Sequence, residues 1–302
     1  MSGQRIERIT DALLRQWPLP SLAGSTGKED RGRIGVIGGS ANIPGGALLA
    51  GRAALRVGAG KLHIATAASV QTAMAIAVPE AKVSPVIEDA DGNLFTVRRK
   101  VRAELAKSDA LLVGPGLETC AGSARIVGQL IRSCACALVL DAGALEGFLD
   151  FPRPRGGGII TPHFGEMARV LDRPVEQIER NPGQVAVDFA TQAGTVVVLK
   201  SPRTFVASPD GECWVHEDGS VGLGTSGSGD VLAGLIAGLL ARGASLTQAA
   251  VWGVRLHGKA GEILSQRVGP VGFLASEISP EIPALLQELG GECADAVENK
   301  TS

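Results

Sequence analysis

The sequence predicts an α/β fold of three layers, with a mostly parallel central sheet between helices. Three observations carry that prediction. Short, wholly apolar runs alternate with helical stretches along most of the chain, the pattern of strands buried on both faces and joined by crossover helices. Those strands end repeatedly in glycine-rich or polar loops: Gly38-Gly39-Ser40, Gly114-Pro115-Gly116, Asp141, Thr161-Pro162-His163 and Lys200. Finally, 45 % of the 302 residues are hydrophobic, with 41 glycines against 7 Phe, 3 Trp and no Tyr. A large, aliphatic core with close backbone packing follows.

Taken in order, the first thirty residues are mixed and polar, with Trp17-Pro18-Leu19-Pro20 extended. Residues 33–37 form a buried strand, 45–57 an Ala/Leu-rich helix ended by Gly58-Ala59-Gly60, and 61–65 the next strand. A short helix over 69–77 stops before Pro79. Residues 85–96 read as strand and turn, 97–106 as helix, 110–113 as strand and 121–132 as helix. Strands at 137–140 and 158–160 precede helices at 166–171 and 182–192, and a strand spans 195–199. Residues 204–207 and 212–215 flank the turn sequence Ser208-Pro209-Asp210-Gly211 and make a hairpin. Helices from about Gly229 and over 246–264 follow. No linker divides the chain, so 1–290 reads as one domain with a polar tail over 291–302.

Composition excludes several classes. The net charge is −2 and the basic residues are scattered. The one basic cluster, Arg98 to Arg102, reads as a solvated helix start, so neither nucleic acid nor membrane is expected as a partner. Five dispersed cysteines, Cys120, Cys134, Cys136, Cys213 and Cys293, match no zinc spacing and fit a reducing compartment. No signal peptide is seen, and the longest apolar run, Val231 to Ala241, is too short to span a bilayer. A cytoplasmic protein is expected.

The strongest chemical signal is Gly222-Leu-Gly-Thr-Ser-Gly-Ser-Gly-Asp-Val-Leu-Ala-Gly234. Glycine and hydroxyl residues leading straight into an apolar helix can turn several N–H groups toward one anion, most naturally phosphate. There is no Gly-Lys-Ser/Thr, so it is not a P-loop. Gly222, Gly224 and Gly227 match a dinucleotide fingerprint by letter, but a polar turn precedes them and no acid follows about twenty residues on. Asp230 is either a helix cap or a base that takes a proton from a substrate hydroxyl. His163 either points into a cleft or is structural. Glu166 is either a first-turn acid or holds a Mg²⁺-bound water. Lys200 and Arg203 either hold a nucleotide phosphate or flank a turn. His257 reads as packed, and His63 and His216 carry no functional signal. In open α/β sheets ligands bind beyond the carboxyl ends of the strands, so these motifs should converge on one edge.

Assembled in order, the motifs resemble the ADP/ATP-dependent NAD(P)H-hydrate dehydratases of the ribokinase-like superfamily. The resemblance runs from about Lys28 to Leu264. It rests on Gly38-Gly39-Ser40, Gly45-Gly-Ala47, Gly58-Ala-Gly60, Val113-Gly-Pro-Gly-Leu117 and Leu140-Asp-Ala142. Thr161-Pro-His163 with Gly165-Glu-Met167, Val198-Leu-Lys200 with Arg203-Thr204, and Gly227 to Gly234 complete it. The resemblance implies ADP-dependent, or ATP-dependent, repair of the S epimer of NADHX and NADPHX, by phosphorylation of the ring hydroxyl and elimination of phosphate. It implies that Asp230 is the base, with Gly227, Ser228 and Gly229 around the transferring phosphoryl group. Ala47, Gly116, His163 and Asp230 would contact the hydrate. Lys200, Ser201, Pro202, Arg203, Thr204 and Gly229 would contact the nucleotide, with Mg²⁺ as cofactor. A homotetramer and a functional pairing with a separate NAD(P)H-hydrate epimerase are further implications, since the segment before Lys28 is too short for an epimerase domain.

The chain departs from that pattern at several positions. Ser226 stands where glycine is usual, which would restrict a residue with positive φ. Gly143 replaces the second acid of Asp-Ala-Asp, Phe164 replaces a common proline, and Lys200-Ser201-Pro202 replaces Lys-Gly-Ala. Two other readings therefore stand beside the dehydratase: a vitamin-precursor kinase of the same superfamily, and a catalytically silent nucleotide-binding regulator.

Overall fold

The structure, a computed structural model, describes residues 6–22, 24, 27–146 and 148–290; the tail over 291–302, with Cys293, lies outside the described residues. In chain order the elements are β1 (Ile6–Arg8), α1 (Asp11–Gln16), β2 (Arg33–Ile37), α2 (Gly45–Arg56), β3 (Lys61–Ala67), α3 (Gln71–Ala77), β4 (Ala81–Glu88) and β5 (Leu94–Thr96). Then come α4 (Arg99–Leu105), β6 (Ala110–Val113), α5 (Ala121–Ser133), β7 (Ala137–Leu140), β8 (Gly158–Ile160), α6 (Phe164–Leu171), α7 (Val175–Arg180) and α8 (Pro182–Ala193). The last are β9 (Val196–Leu199), β10 (Thr204–Ala207), β11 (Cys213–His216), α9 (Ser228–Ala241), α10 (Leu246–Arg267) and α11 (Ala275–Gly290).

The strands form one sheet in the order β1-β11-β10-β9-β8-β7-β6-β2-β3-β4-β5. Neighbours from β9 through β4 are parallel, β10 is antiparallel to both β9 and β11, and β5 is antiparallel to β4. The parallel part is built outward in both directions from the β2–β6 pair, so the strand order reverses there. A crevice opens at such a switch point. The loops after β2 and β6 meet in it: Gly39 donates to the Pro115 carbonyl at 2.8 Å and Ser40 to that of Gly116 at 3.0 Å.

Successive strand residues feed opposite faces, as the pleat requires. Ile34, Val36, Leu112, Val139, Val196 and Val198 join the core under α2, α9, α10 and α11. Leu111, Val113, Leu138, Leu140, Val197 and Leu199 join the core under α5, α6 and α8. Helix α9 is buried nearly all round. Gly234 and Gly238 let it press against α2: a Cβ at Gly234 would stand 2.2 Å from the Ala50 carbonyl oxygen, and one at Gly238 would stand 2.8 Å from the Ala54 Cα.

Strands β2, β6, β7 and β8 have the predicted limits, and the hairpin and α2 lie within a residue of theirs. Several elements differ. Strand β4 begins at Ala81 and runs through Pro85; over that stretch only β3 pairs with it, and an edge position tolerates proline. Helix α6 starts at Phe164 because His163 caps it. Helices α1, α7 and α11 and strand β1 were not expected. Helix α11 contains Pro280 and Pro283, and Ile278, Ile282, Leu285 and Leu289 repeat at helical spacing and are all buried. Arg98, Arg99 and Lys100 are exposed at the start of α4, as expected of a solvated face. Cys120, Cys134, Cys136 and Cys213 are free thiols. No helix among the described residues is long and apolar enough to cross a membrane.

Candidate active site

The site is assembled from strand ends and one helix start. Strand β7 delivers Asp141, which is 2 % exposed. Its Oδ1 accepts hydrogen bonds from Thr161 Oγ1 at 2.8 Å, beyond β8, and from Lys200 Nζ at 2.7 Å, beyond β9. An isolated bridge between His163 and Lys200 keeps these two strand extensions side by side. Lys200 Nζ also lies 3.7 Å from Glu166 Oε2. Burial works against a charge on Lys200, but Asp141 and Glu166 outweigh it and its pKa is raised.

His163 caps α6. Its Nδ1 accepts the N–H groups of Gly165 and Glu166 at 3.0 and 3.2 Å, while Glu166 Oε2 accepts the His163 backbone N–H at 2.7 Å. This reciprocal capping fixes both side chains and assigns the ring proton to Nε2. The ring is about half exposed and presents its Nε2 edge 3.6 Å from Glu166 Oε1. Glu166 is thus the first-turn acid of one reading, and it also stands beside Lys200.

The glycine loop enters α9 through Gly227, whose φ is 88°. A Cβ there would also meet the movable end of Leu49, Cδ1, at 2.5 Å, so it is the positive φ that calls for glycine. Ser226 is not among the residues with positive φ. The strain expected at that position is absent, because the left-handed turn falls one residue later. The Gly143 departure has its own packing cause: a Cβ there would lie 2.5 Å from the Glu118 carbonyl carbon and oxygen. An aspartate would not fit that backbone without displacing it. Ala142, next to Asp141, holds a φ of 46°, a strained conformation of the kind concentrated at functional sites.

Asp230 lies in the first turn of α9, and its carboxylate accepts the Gly116 N–H from the β6 loop. Its carboxyl is pushed up to about 7, first by burial and then by the negative charge of Asp141, while Lys200 and the Gly116 N–H pull the other way. The cap reading fails, since no side chain caps α9 and the N-cap is Gly227. A carboxyl poised near neutrality in a crevice is suited to general-base work.

A cavity of about 420 Å³ extends from this point, lined by Lys200, Ser201, Pro202, Thr204, Ser228 and Gly229 among others. Five of the six residues expected to hold a nucleotide thus share one wall. Arg203 stands apart: it is not in that lining, and its guanidinium pairs with Glu217. Ala47, expected to touch the hydrate, is fully buried at the start of α2, main chain included, and does not line the cavity. His257 is packed, as expected, but its place beside the glycine loop has no sequence signal. Helix α10 packs on α9 and carries its Nε2 to 2.9 Å from Ser228 Oγ and 3.1 Å from the Ser228 carbonyl oxygen. Burial holds its pKa down to about 4, so the ring is neutral and buttresses the glycine loop from below. No local motif marks it; only the pairing of two helices brings it there.

Comparison with known proteins agrees with this geometry. The family model described as NAD(P)H-hydrate dehydratase matches residues 34–284. An ADP-dependent (S)-NAD(P)H-hydrate dehydratase of Xanthomonas campestris is 48 % identical, over 96 % of this chain and 99 % of its own. A bifunctional NAD(P)H-hydrate repair enzyme of Moorella thermoacetica is 34 % identical over 94 % of this chain, which spans only 55 % of that protein. The crystal structure of the ADP/ATP-dependent NAD(P)H-hydrate dehydratase of Bacillus subtilis, co-crystallised with ATP and Mg²⁺, superposes with a TM-score of 0.83 at 31 % identity, covering 95 % of this chain and 100 % of its own. From Asp141 and Lys200 to the loop before Asp230, fold and sequence point the same way: this chain belongs to the NAD(P)H-hydrate dehydratase family of ribokinase-like proteins.

Proposed function

We propose that the protein dehydrates the S epimers of NADHX and NADPHX to NADH and NADPH at the expense of ADP. The observation that carries this reading is Asp230: a partly buried carboxyl with a pKa near 7, in the first turn of α9 just after the glycine loop and within the field of Lys200 and Asp141. The hydrate would lie against Gly116 and His163, with its ring hydroxyl at Asp230. The nucleotide would run from Gly229 and Lys200 along Ser201, Pro202 and Thr204.

The chemistry balances as two steps. Asp230 accepts the proton of the ring hydroxyl, and that oxygen attacks the terminal phosphorus of ADP. The P–O bond to AMP breaks, and AMP leaves. The free N–H groups at the start of α9 and the Lys200 ammonium hold the charge that spreads over the transferring phosphoryl group. The C–O bond of the phosphoester then breaks, phosphate departs with the former hydroxyl oxygen, and loss of a proton from the neighbouring carbon restores the ring double bond. With ATP the nucleotide product is ADP.

Magnesium belongs with the nucleotide in this reading. Among the described residues no cluster of three or more His, Cys, Asp or Glu side chains could hold a metal. Mg²⁺ binds mostly phosphate oxygens and water with one or two carboxylates, and Glu166 is the carboxylate this reading gives it. Glu166, with Oε2 committed to the His163 N–H, would hold a metal-bound water through Oε1. Magnesium would supply neutralisation of phosphate charge.

A homotetramer in the cytoplasm, working with a separate epimerase that supplies the S form, completes the reading. Support for the pairing comes from the bifunctional name of the repair enzyme that this chain matches. The test is incubation with NADHX and either nucleotide while NADH absorbance is followed. Recovery with ADP is expected, and no recovery with either ADP or ATP removes the reading.

A further inference from the structure

The contact between α10 and the start of α9 fixes the direction of one proton. His257 Nε2 meets both oxygens of Ser228, Oγ at 2.9 Å and the carbonyl at 3.1 Å. A carbonyl oxygen only accepts, so Nε2 carries the ring proton. A nitrogen that holds its proton cannot take one from the hydroxyl. Ser228 Oγ therefore accepts in this contact, and its own O–H points elsewhere. Among the described residues that O–H has no second partner, although Ser228 is only 3 % exposed. An unmet donor so placed is costly unless a ligand accepts from it. Ser228 and His257 both line the cavity, together with Gly229 and Lys200. A Cβ on Gly229 would stand 3.3 Å from Lys200 Nζ, so the ammonium lies beside the loop at this point. An anion there would meet the Lys200 charge, the free N–H groups of α9 and the Ser228 O–H together.

We infer that His257 is a positioning residue: by donating to Ser228 Oγ, it turns the hydroxyl proton toward the terminal phosphoryl group of the nucleotide. A hydroxyl in a first helical turn, left to itself, pairs with nearby backbone. The imidazole occupies its acceptor side and leaves the O–H for the ligand. This inference rests on the nucleotide site proposed above and adds a residue of another helix to it, acting through Ser228.

Titration with ADP and with AMP, without the hydrate, tests it on wild type, Ser228→Ala, His257→Phe, His257→Gln and the double variant Ser228→Ala/His257→Phe. AMP lacks the terminal phosphoryl group. Ser228→Ala should weaken ADP about 10-fold and leave AMP unchanged. His257→Phe, which keeps the ring volume without the donor, should weaken ADP several-fold, again sparing AMP. The double variant should bind ADP no worse than Ser228→Ala, since His257 has no hydroxyl left to orient. His257→Gln keeps a donor and should recover part of the loss. His257→Leu replaces His257→Phe if the latter does not fold. Unchanged ADP affinity without the imidazole would overturn the inference. So would losses that multiply in the double variant, or a loss shared by AMP, either of which would mean general damage to the loop. A wild type that binds ADP no better than AMP overturns it as well. A wild type that shows the expected pattern but restores no NADH would remove the dehydratase reading and leave this inference standing.

Discussion

Asp230 does two things at once, because the environment that makes it a base also costs stability. Its folded pKa near 7 lies above the ordinary value of 3.8. The folded state therefore holds its proton more tightly, and stability falls as pH rises between about 4 and 7. Asp230→Asn should raise the melting temperature at pH 8 while lowering kcat by about 10²- to 10⁴-fold, the usual contribution of a general base. Turnover at the wild-type rate would remove Asp230 from the chemistry. In the wild type, kcat/KM should fall on the acid side with an apparent pKa near 7. Lys200 lowers that pKa, so Lys200→Met should move the acid limb to higher pH and raise the KM for nucleotide. A limb that stays in place would mean that the two charges do not interact. At this scale the sequence was informative about placement: Asp230 and Lys200 stand together at the crevice as the motifs implied. It read His257 as packed but could not name Ser228 as its partner, because that pairing comes from another helix. It misjudged Ser226, because the single letter does not tell which residue of a glycine loop takes the left-handed turn.

Among the elements, α9 matters most, since it presents the glycine loop and Asp230 to the crevice. Its position depends on α2, which the Gly234 and Gly238 contacts allow to lie almost backbone to backbone. Gly234→Ala should destabilise the protein by roughly 1–3 kcal/mol through overpacking, although alanine is the better helix former. Gly45→Ala, in the same helix pair but with open space around it, should be neutral or stabilising. Denaturant midpoints compare the two, and equal effects would contradict the close approach. Periodicity made α2, α9 and α10 legible, because their apolar residues recur over several turns. Helices α1 and α7 are six residues each, too short for a period to show, and α11 is masked by its two prolines.

At the scale of the molecule, the parallel sheet with its reversal between β2 and β6 explains why five loops distant in sequence converge. The parallel sheet and the convergence at its carboxyl edge were readable from the alternation of apolar strands with helices; the strand order was not. The closing of the sheet by the N-terminal segment was not. Strand β1 adds to β11, and Asp11 in α1 binds Arg255 Nε at 2.8 Å and Lys259 Nζ at 3.0 Å on α10. Burial tends to raise the Asp11 pKa, but these two partners outweigh it and the pKa is lowered below 3.8. The stability it contributes is present above that pH and lost as pH falls through the folded value. Asp11→Ala should cost about 1–3 kcal/mol near neutral pH and progressively less in acid. A cost that does not change with pH would show that packing, not charge, holds the segment.

The central claim is that the loop before Asp230 passes a phosphoryl group from a nucleotide to the ring hydroxyl of the hydrate. Its most direct test is to quantify AMP and NADH together in one incubation with ADP and the S epimer of NADHX, for wild type and for Asp230→Asn. AMP and NADH should accumulate in equal amounts with the wild type, and both should nearly vanish with the variant. Recovery of NADH without formation of AMP would contradict the account.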